Sequence, residues 1–527
     1  MSFRKILSIL LLAVMLLLCC SCTESKRKAA AEENTENAQT SSTDLDVAQK
    51  IEQLAGTATG VLTGTLYDKI AAEHLPDCPV KYFNSSADLA VALQAQKVSS
   101  FITDEPIALA IIDNYPSQYI LTTLEPCEYA YAFPMNKPGS EKLRSQMNAY
   151  IAKCRENGTI DEFADIWFGS DTSRQTVDRS TLTGENGTVT LSICSAGGKP
   201  FTYLQDKEYV GYDIDLAARF CAEYGYYLEI VDYDPSGLFS SISGGKCDIG
   251  ACGIVVTPER SENMLFSDPN YIGGCVLVVT DGEAEIEDTG FFESIKESFV
   301  KTFIREDRYL LFLSGIGTTL LIVLLALIFG SVLGFVIYLF YYRAHRPFKF
   351  IVDVMMKITE NTPVVVILMI LYYIVFGSID VSSVLVSVIG FTLIFAGSVI
   401  GLLKVGVGAV DGGQKEAALA LGYTENQSFM RIVLPQAAKH FLPGYKSAIV
   451  QLIKGTAIVG YIAVQDLTKV SDIIRSRTYE AFFPLIATAV IYFAMALIMS
   501  AIVKHIEINI DPASRRKLRI LKGVKLK

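Results

Sequence analysis

Apolar residues are gathered rather than spread along this chain. In its second half, uncharged runs cover residues 309–342, 361–379, 381–403 and 481–503. Each is near or above the roughly 20 residues that a helix needs to cross a bilayer. A fifth run, 441–465, is interrupted by Lys446 and Lys454 and is read as a span because the charge pattern requires one there. Just before the first run, FFESIKESFVKTFI places Phe292, Ile295, Phe299 and Phe303 on one helical face. This pattern predicts an amphipathic helix over 286–307, lying on the outer surface beside the first span or packed against the preceding domain. The fold class expected is therefore multidomain, an ectodomain followed by an all-α transmembrane domain of five spans over 308–507.

Basic residues orient these spans. Arg343, Arg346 and Lys349 follow the first run, and eight Lys or Arg crowd the tail after Val503. Both groups belong in the cytoplasm, which puts everything before Tyr309 outside and the loop 404–440 inside. The start, MSFRKILSILLLAVMLLLCCSC, has the basic opening and apolar core of an export signal. It looks like a bacterial lipoprotein signal over 1–22 with Cys22 lipidated; an uncleaved anchor is the alternative, because Cys19 stands where such signals carry Leu. Residues 23–50, poor in large apolar side chains, read as a disordered tether. All eleven cysteines lie at or before Cys275 with no fixed spacing, so disulfides are permitted but not required. Four scattered histidines offer no metal constellation, no cofactor is expected, and a formal charge of −10 argues against nucleic acid.

The cytoplasmic loop contains EAALALGYTENQSFMRIVLPQA, read as two short helices separated by a glycine stop. Glu416, Ala417, Ala418, Gly422, Ile432, Leu434 and Pro435 reproduce the Glu-Ala-Ala, Gly, Ile, Leu-Pro signature of ABC importer permeases. With GTT at 317–319, TP at 362–363 and VDGGQ at 410–414, residues 309–507 resemble the polar amino acid branch of that family. The resemblance implies that this loop seats in a cytoplasmic ABC ATPase and that two permease subunits work together, as a homodimer or with a related permease. No Gly-x-x-x-x-Gly-Lys-Ser/Thr occurs, so ATP hydrolysis is expected from a separate subunit and the chain is not itself an enzyme. A channel reading rests on TAIVGY at 456–461 alone, which lacks the contiguous filter motif.

Upstream, KPFTYLQDKEYVGYDIDLAARF and ISGGKCDIGACGIVVTPERSENMLFSD resemble the first lobe of periplasmic amino acid-binding proteins of family 3. The resemblance assigns Arg260 to the ligand carboxylate and places Phe201 and Gly253 in the same pocket. Residues 56–75 and 96–109 resemble the second lobe, which implies that Gly64 and Thr65 open a helix holding the carboxylate. Asp104 then faces the ligand ammonium, or serves as an N-cap before Glu105-Pro106. Residues 130–169 resemble the family's closing segment. Lobe two thus spans 51–129, the C-terminal part of lobe one 130–169, a linker 170–187, and the N-terminal part of lobe one 188–281. This order is a circular permutation; two truncated domains, each completed by another chain, is the alternative.

Several positions depart from the family. Val255 replaces a hydroxyl residue, Ser195 and Gly198 replace an acidic and an aromatic residue, and the covering aromatic aligns near Pro235, leaving Tyr233 as substitute. Glu360, Asn361, Gln451 and Lys454 bring polar groups to apolar depth and are candidates for the translocation path, with interfacial snorkelling the alternative for Glu360 and Lys454. The function expected is a substrate-binding and permease subunit of an importer for an amino acid or small zwitterion in a bacterial cell membrane. A membrane-bound sensor that kept the fold without transport is the alternative.

Overall fold

The computed structural model describes residues 43–510 apart from 170, 196–197, 206, 281–290, 378, 380, 479 and 481. The expected signal with Cys22, most of the tether and the basic tail from residue 511 lie outside the described residues. The chain divides into Met1–Glu52 and Gln53–Lys527. Of the first unit the structure describes the start of the helix Thr43–Leu54; all that follows concerns the second.

Two five-stranded sheets share one layout. In the first, β1 (Thr59–Leu62), β2 (Val80–Phe83) and β3 (Ser100–Asp104) run parallel beside β4 (Gln118–Tyr131). In the second, β5 (Pro134–Asn136) joins the parallel set β6 (Thr188–Ile193), β9 (Tyr227–Asp232) and β10 (Ile249–Ala251), with β11 (Met264–Phe266) at the edge. The small pair β7 (Tyr203–Gln205) and β8 (Glu208–Val210) stands apart. The long β12 (Tyr271–Thr280) returns to the first sheet between β3 and β4, antiparallel to both. Chain crossings therefore occur twice, after β4 and after β11, and they run side by side: Asn270 N–H donates to the Tyr131 carbonyl (2.8 Å) and Ser267 N–H to that of Phe133 (3.1 Å). The runs SFITD and CVLVV are buried throughout, as central strands covered on both faces must be.

Segments distant in sequence share one core. Tyr131, Phe168, Phe201, Tyr212 and Tyr271 form an aromatic cluster, with Phe168 stacked on Tyr212 (5.0 Å) and edge-on to Tyr271 (4.9 Å). Residues 171–187 are fastened to it by polar contacts. Gln175, buried, donates to the Ile166 carbonyl (3.0 Å) and accepts from the Tyr203 hydroxyl (3.1 Å).

From residue 291 to residue 510 the described chain is mostly helical. Three helices are long and apolar enough to cross a membrane, and up to five segments are if each bent pair counts as one span. Arg346–Asn361 meets Val364–Val375 at 111°, and Glu425–Ile462 meets Leu467–Thr478 at 56°. The longest helix, Arg308–Arg343, packs on Ser383–Gly408 where Gly330 and Gly334 abut Phe395 and Ala396. A side chain at Gly334 would come within 2.7 Å of the Ala396 carbonyl, so the small-x-x-x-small step sets the close approach. The amphipathic helix forms over Phe291–Phe299 and continues as a wider turn to Ile304. Of the two placements expected for it, the side chains choose the membrane helices: Phe303 packs on Phe312 (4.8 Å) and Phe299 on Phe483 (6.3 Å).

Candidate functional site

A cavity of about 580 Å³ lies between the two sheets and the membrane half. The first sheet contributes Leu62–Tyr67, Asn84, Ser85, Asp88, Asp104 and Ile107, mostly from loops at the carboxyl ends of its parallel strands, where open α/β sheets bind ligands. The second sheet contributes Asp234, Phe239, Gly253, Val255 and Arg260 among others. The third wall comes from the membrane half: Ala457, Gly460, Tyr461, Asp466, Thr468, Lys469, Asp472 and Arg475.

Arg260 sits in the short helix Pro258–Asn263, whose first turn is capped by the Thr257 hydroxyl accepting the Arg260 N–H (3.3 Å). Its Nη1 donates to the Val255 carbonyl (2.8 Å) and its guanidinium lies over the Phe239 ring at 4.7 Å. Its Nη2 donates across the cavity to the Gly64 carbonyl (3.1 Å). The helix expected to open at Gly64 and Thr65 begins instead at Tyr67, with Leu66 at its N-cap. Thr65 turns its hydroxyl back to the Leu62 carbonyl (2.7 Å), and Gly64 takes a positive φ of 78°. Two groups assigned to one ligand carboxylate thus meet each other, beside a Lys69–Glu259 ion pair that also joins the two sides.

Asp104, 2% exposed, ends β3 at the N-cap of Glu105–Ile112 without bonding the helix N–H groups. Of its two expected roles, capping is the one its side chain does not perform. Burial pushes its carboxyl up to about 6, against the opposing pull of the Tyr131, Tyr67 and Cys275 side chains and, last, of Arg260. A buried carboxylate on one wall of a cavity, with a guanidinium on the wall formed by the other sheet, is the charge arrangement that a zwitterion satisfies.

Of three further expected residues, two take other places. Gly253 lines the cavity, but its N–H is spent on Asp213 (2.8 Å). Phe201 does not line the cavity: fully buried, it packs beneath Gly253, whose absent Cβ would lie 2.6 Å from its ring. Nor does Tyr233 cover the ligand space. It is buried with its hydroxyl 3.0 Å from that of Tyr372 in the membrane half, because β9 has just ended and the alternation along it turns Tyr233 away from the cavity. The aromatic residues that line the cavity are Tyr67, Phe239 and Tyr461, with Phe239 one helical turn beyond Pro235. Ser195 gives its hydroxyl and its N–H to Asp232, so this loop is tied to a carboxylate supplied by β9.

The residues that sequence reasoning missed are those of the helix Leu467–Thr478. Lys469, 1% exposed at its side chain, donates to Asp234 (2.9 Å) and to the Tyr233 carbonyl (2.8 Å) and pairs with Asp232 (3.4 Å). Arg475 pairs with Asp88 beside the first sheet. One signal was available: Lys469, Arg475 and Arg477 follow the fifth expected span on its outer side, against the positive-inside pattern.

In the loop 404–440, Glu416, Ala417 and Ala418 lie in Gly412–Ala420, with Ala418 buried and Glu416 and Ala417 exposed. Gly422 follows at φ 83°, and Leu434 and Pro435 start the helix to Gly455. Leu421 is 77% exposed and Met430 47%, leaving an apolar surface on this loop. Glu360, Asn361, Gln451 and Lys454 are all exposed on the single chain. Among the described residues no cluster could hold a metal ion, and Cys78, Cys154, Cys194, Cys221, Cys247, Cys252 and Cys275 form no disulfide.

The family of bacterial extracellular solute-binding proteins, family 3, matches residues 191–469, just over half of the chain. The arginine transport system permease protein ArtQ of Bacillus subtilis (strain 168) is 34% identical over 200 residues, 37% of this chain and 90% of that protein. The putative glutamine transport system permease protein GlnP of Rickettsia bellii (strain RML369-C) is 31% identical over 38% of this chain and 93% of its own length. A solved structure described as an amino acid ABC transporter with histidines is 30% identical and covers 42% of this chain and 98% of its own, with a TM-score of 0.36. The chain belongs to the family 3 bacterial extracellular solute-binding proteins and carries, fused to that domain, a permease of the polar amino acid ABC transporter family.

Proposed function

We propose that this chain is the combined substrate-binding and permease subunit of an ATP-driven importer for an amino acid or related small zwitterion. The observation that carries the reading is a cavity of about 580 Å³ walled by both sheets and by residues 457–475 of the membrane half, so that a ligand leaving the sheets meets the permease directly. Arg260 takes the ligand carboxylate and Asp104 its ammonium. The shared layout of the two sheets and the double crossing support one two-lobed domain in circularly permuted order, with lobe two first. Five spans carry the ligand, and Glu360, Asn361, Gln451 and Lys454 face the path or a second permease subunit. The binding domain stands outside the membrane, while the loop and the C-terminal tail lie inside.

The exposed apolar face around Leu421 and Met430, with Glu416 to Gly422, is the seat for a separate ABC ATPase. From Leu434 the chain runs through one bent helical path to Lys469 at the cavity, so movement of the loop reaches the ligand site through a few helical turns. The test is uptake of labelled amino acids by cells making the full chain and its Gly422→Val variant. Loss of uptake with ligand binding unchanged supports import; unchanged uptake, or no uptake by the parent chain, favours the sensor reading. Two of the relatives are named for arginine and glutamine transport, and those two amino acids are the first to try.

A further inference from the structure

The charges around the cavity do not balance. Its lining carries five carboxylates (Asp88, Asp104, Asp234, Asp466 and Asp472) against three cations (Arg260, Lys469 and Arg475). A zwitterion adds no net charge to this sum. Some of the carboxylates have structural work. Asp466 accepts the Lys469 N–H at the start of its helix (3.0 Å) and the Tyr492 hydroxyl (2.9 Å), and Arg475 engages both Asp88 and Asp472. Asp104 is left for the ligand ammonium, as in the proposed function. Lys469 and Asp234 offset each other within this sum, but Lys469 also meets Asp232, a carboxylate behind the lining.

There one ammonium is set against two carboxylates. Lys469 reaches Asp234 at 2.9 Å and Asp232 at 3.4 Å, both on the second sheet, although Lys469 itself belongs to the membrane half. Asp232 is buried and held by Ser195 and Tyr209, whereas the Asp234 side chain keeps 26% of its surface and lines the cavity. Its Oδ2 lies against Gly460, where a Cβ would come within 2.8 Å, so the permease wall leaves room for this oxygen only because it carries no side chain there. The pair of acids keeps one negative charge in excess in a place shielded from water, where an unbalanced charge is costly and a second cation is strongly attracted.

We infer that the cavity selects an amino acid whose side chain carries a positive charge, and that Lys469 is the internal cation that this side chain competes with at Asp234. The inference rests on the proposed amino acid site. Away from the permease wall, Asp234, backed by the charge of Asp232, holds the ligand's ammonium or guanidinium; when the wall is in place, Lys469 takes that position and the ligand's side chain is released toward Tyr461. Lys469 would then be a specificity-determining residue supplied by the permease.

The test is calorimetric titration of the full-length chain in lipid nanodiscs with arginine, glutamine and glutamate. Arginine binds tightest in the parent chain. Lys469→Met tightens arginine by roughly tenfold or more, the scale of one charge-assisted hydrogen bond, and leaves glutamine within about twofold. Asp234→Asn weakens arginine by a similar factor and spares glutamine, and Lys469→Arg, which keeps the competing charge, behaves as the parent. Glutamine or glutamate binding more tightly than arginine overturns the inference and leaves the amino acid reading standing. So do equal effects of Lys469→Met on arginine and glutamine, which would make Lys469 a docking contact only. Binding of none of the three overturns both.

Discussion

Replacing Arg260 by Lys isolates what the planar fork does, because the charge is kept. Of the five N–H groups of a guanidinium, one is given to the Val255 carbonyl at 2.8 Å and one to the Gly64 carbonyl at 3.1 Å. Three remain, one on each terminal nitrogen and one at Nε, which is enough for a two-pronged grip on a carboxylate. A lysine ammonium has three donors in all. If two replace the carbonyl bonds, one is left for the ligand, and the contact of the guanidinium with the Phe239 ring at 4.7 Å is lost as well. The loss is one charge-assisted bond, about 1.5 to 3 kcal/mol, or roughly a 10- to 150-fold rise in Kd. Calorimetric titration of the parent and Arg260→Lys chains with a bound amino acid measures it, with arginine and glutamine as the first ligands. A Kd that stays within about twofold would refute the reasoning and leave Arg260 as a strut between the two sides of the cavity.

Asp104 predicts a pH signature. Its folded-state pKa of about 6 lies above the ordinary 3.8, so its contribution to stability is full below the unfolded value and is lost as pH rises through 6. The loss is roughly 3 kcal/mol, Asp104→Asn should flatten that part of the melting profile between pH 4 and 8, and an unchanged slope would exclude it. Ligand affinity runs the other way, falling as acid neutralises the carboxylate. Gly422 sits at φ 83°, where a β-branched side chain costs about 1 to 2 kcal/mol, so Gly422→Val should distort the loop and reduce uptake while titration finds the parent affinity. Trp167 is buried and donates to Asp215 at 3.1 Å; Trp167→Ala should cost about 3 to 5 kcal/mol, read as a lowered melting temperature.

The sequence alone carried the class of the protein and most of its parts. Long uncharged runs mark membrane helices because lipid offers the backbone no partners, a constraint severe enough to be read from composition. The loop from Glu416 to Pro435 is equally legible, since its features are local: a short helix, a glycine stop and a helix-starting proline. Arg260 and Asp104 were found in the same way, by motif, and both line the cavity. What failed were inferences about where a side chain points. Tyr233 and Phe201 lie in the expected segments, yet both point into the core, because orientation at a strand end depends on which sheet the strand has joined, whereas Gly253 does line the cavity.

Only the tertiary structure brought Lys469 to Asp232 and Asp234, residues more than two hundred positions earlier. No local pattern encodes such a contact. A lysine in an amphipathic helix reads as solvated until packing against another part of the chain removes the water around it, and from then on its charge must be met by whatever carboxylates that packing supplies.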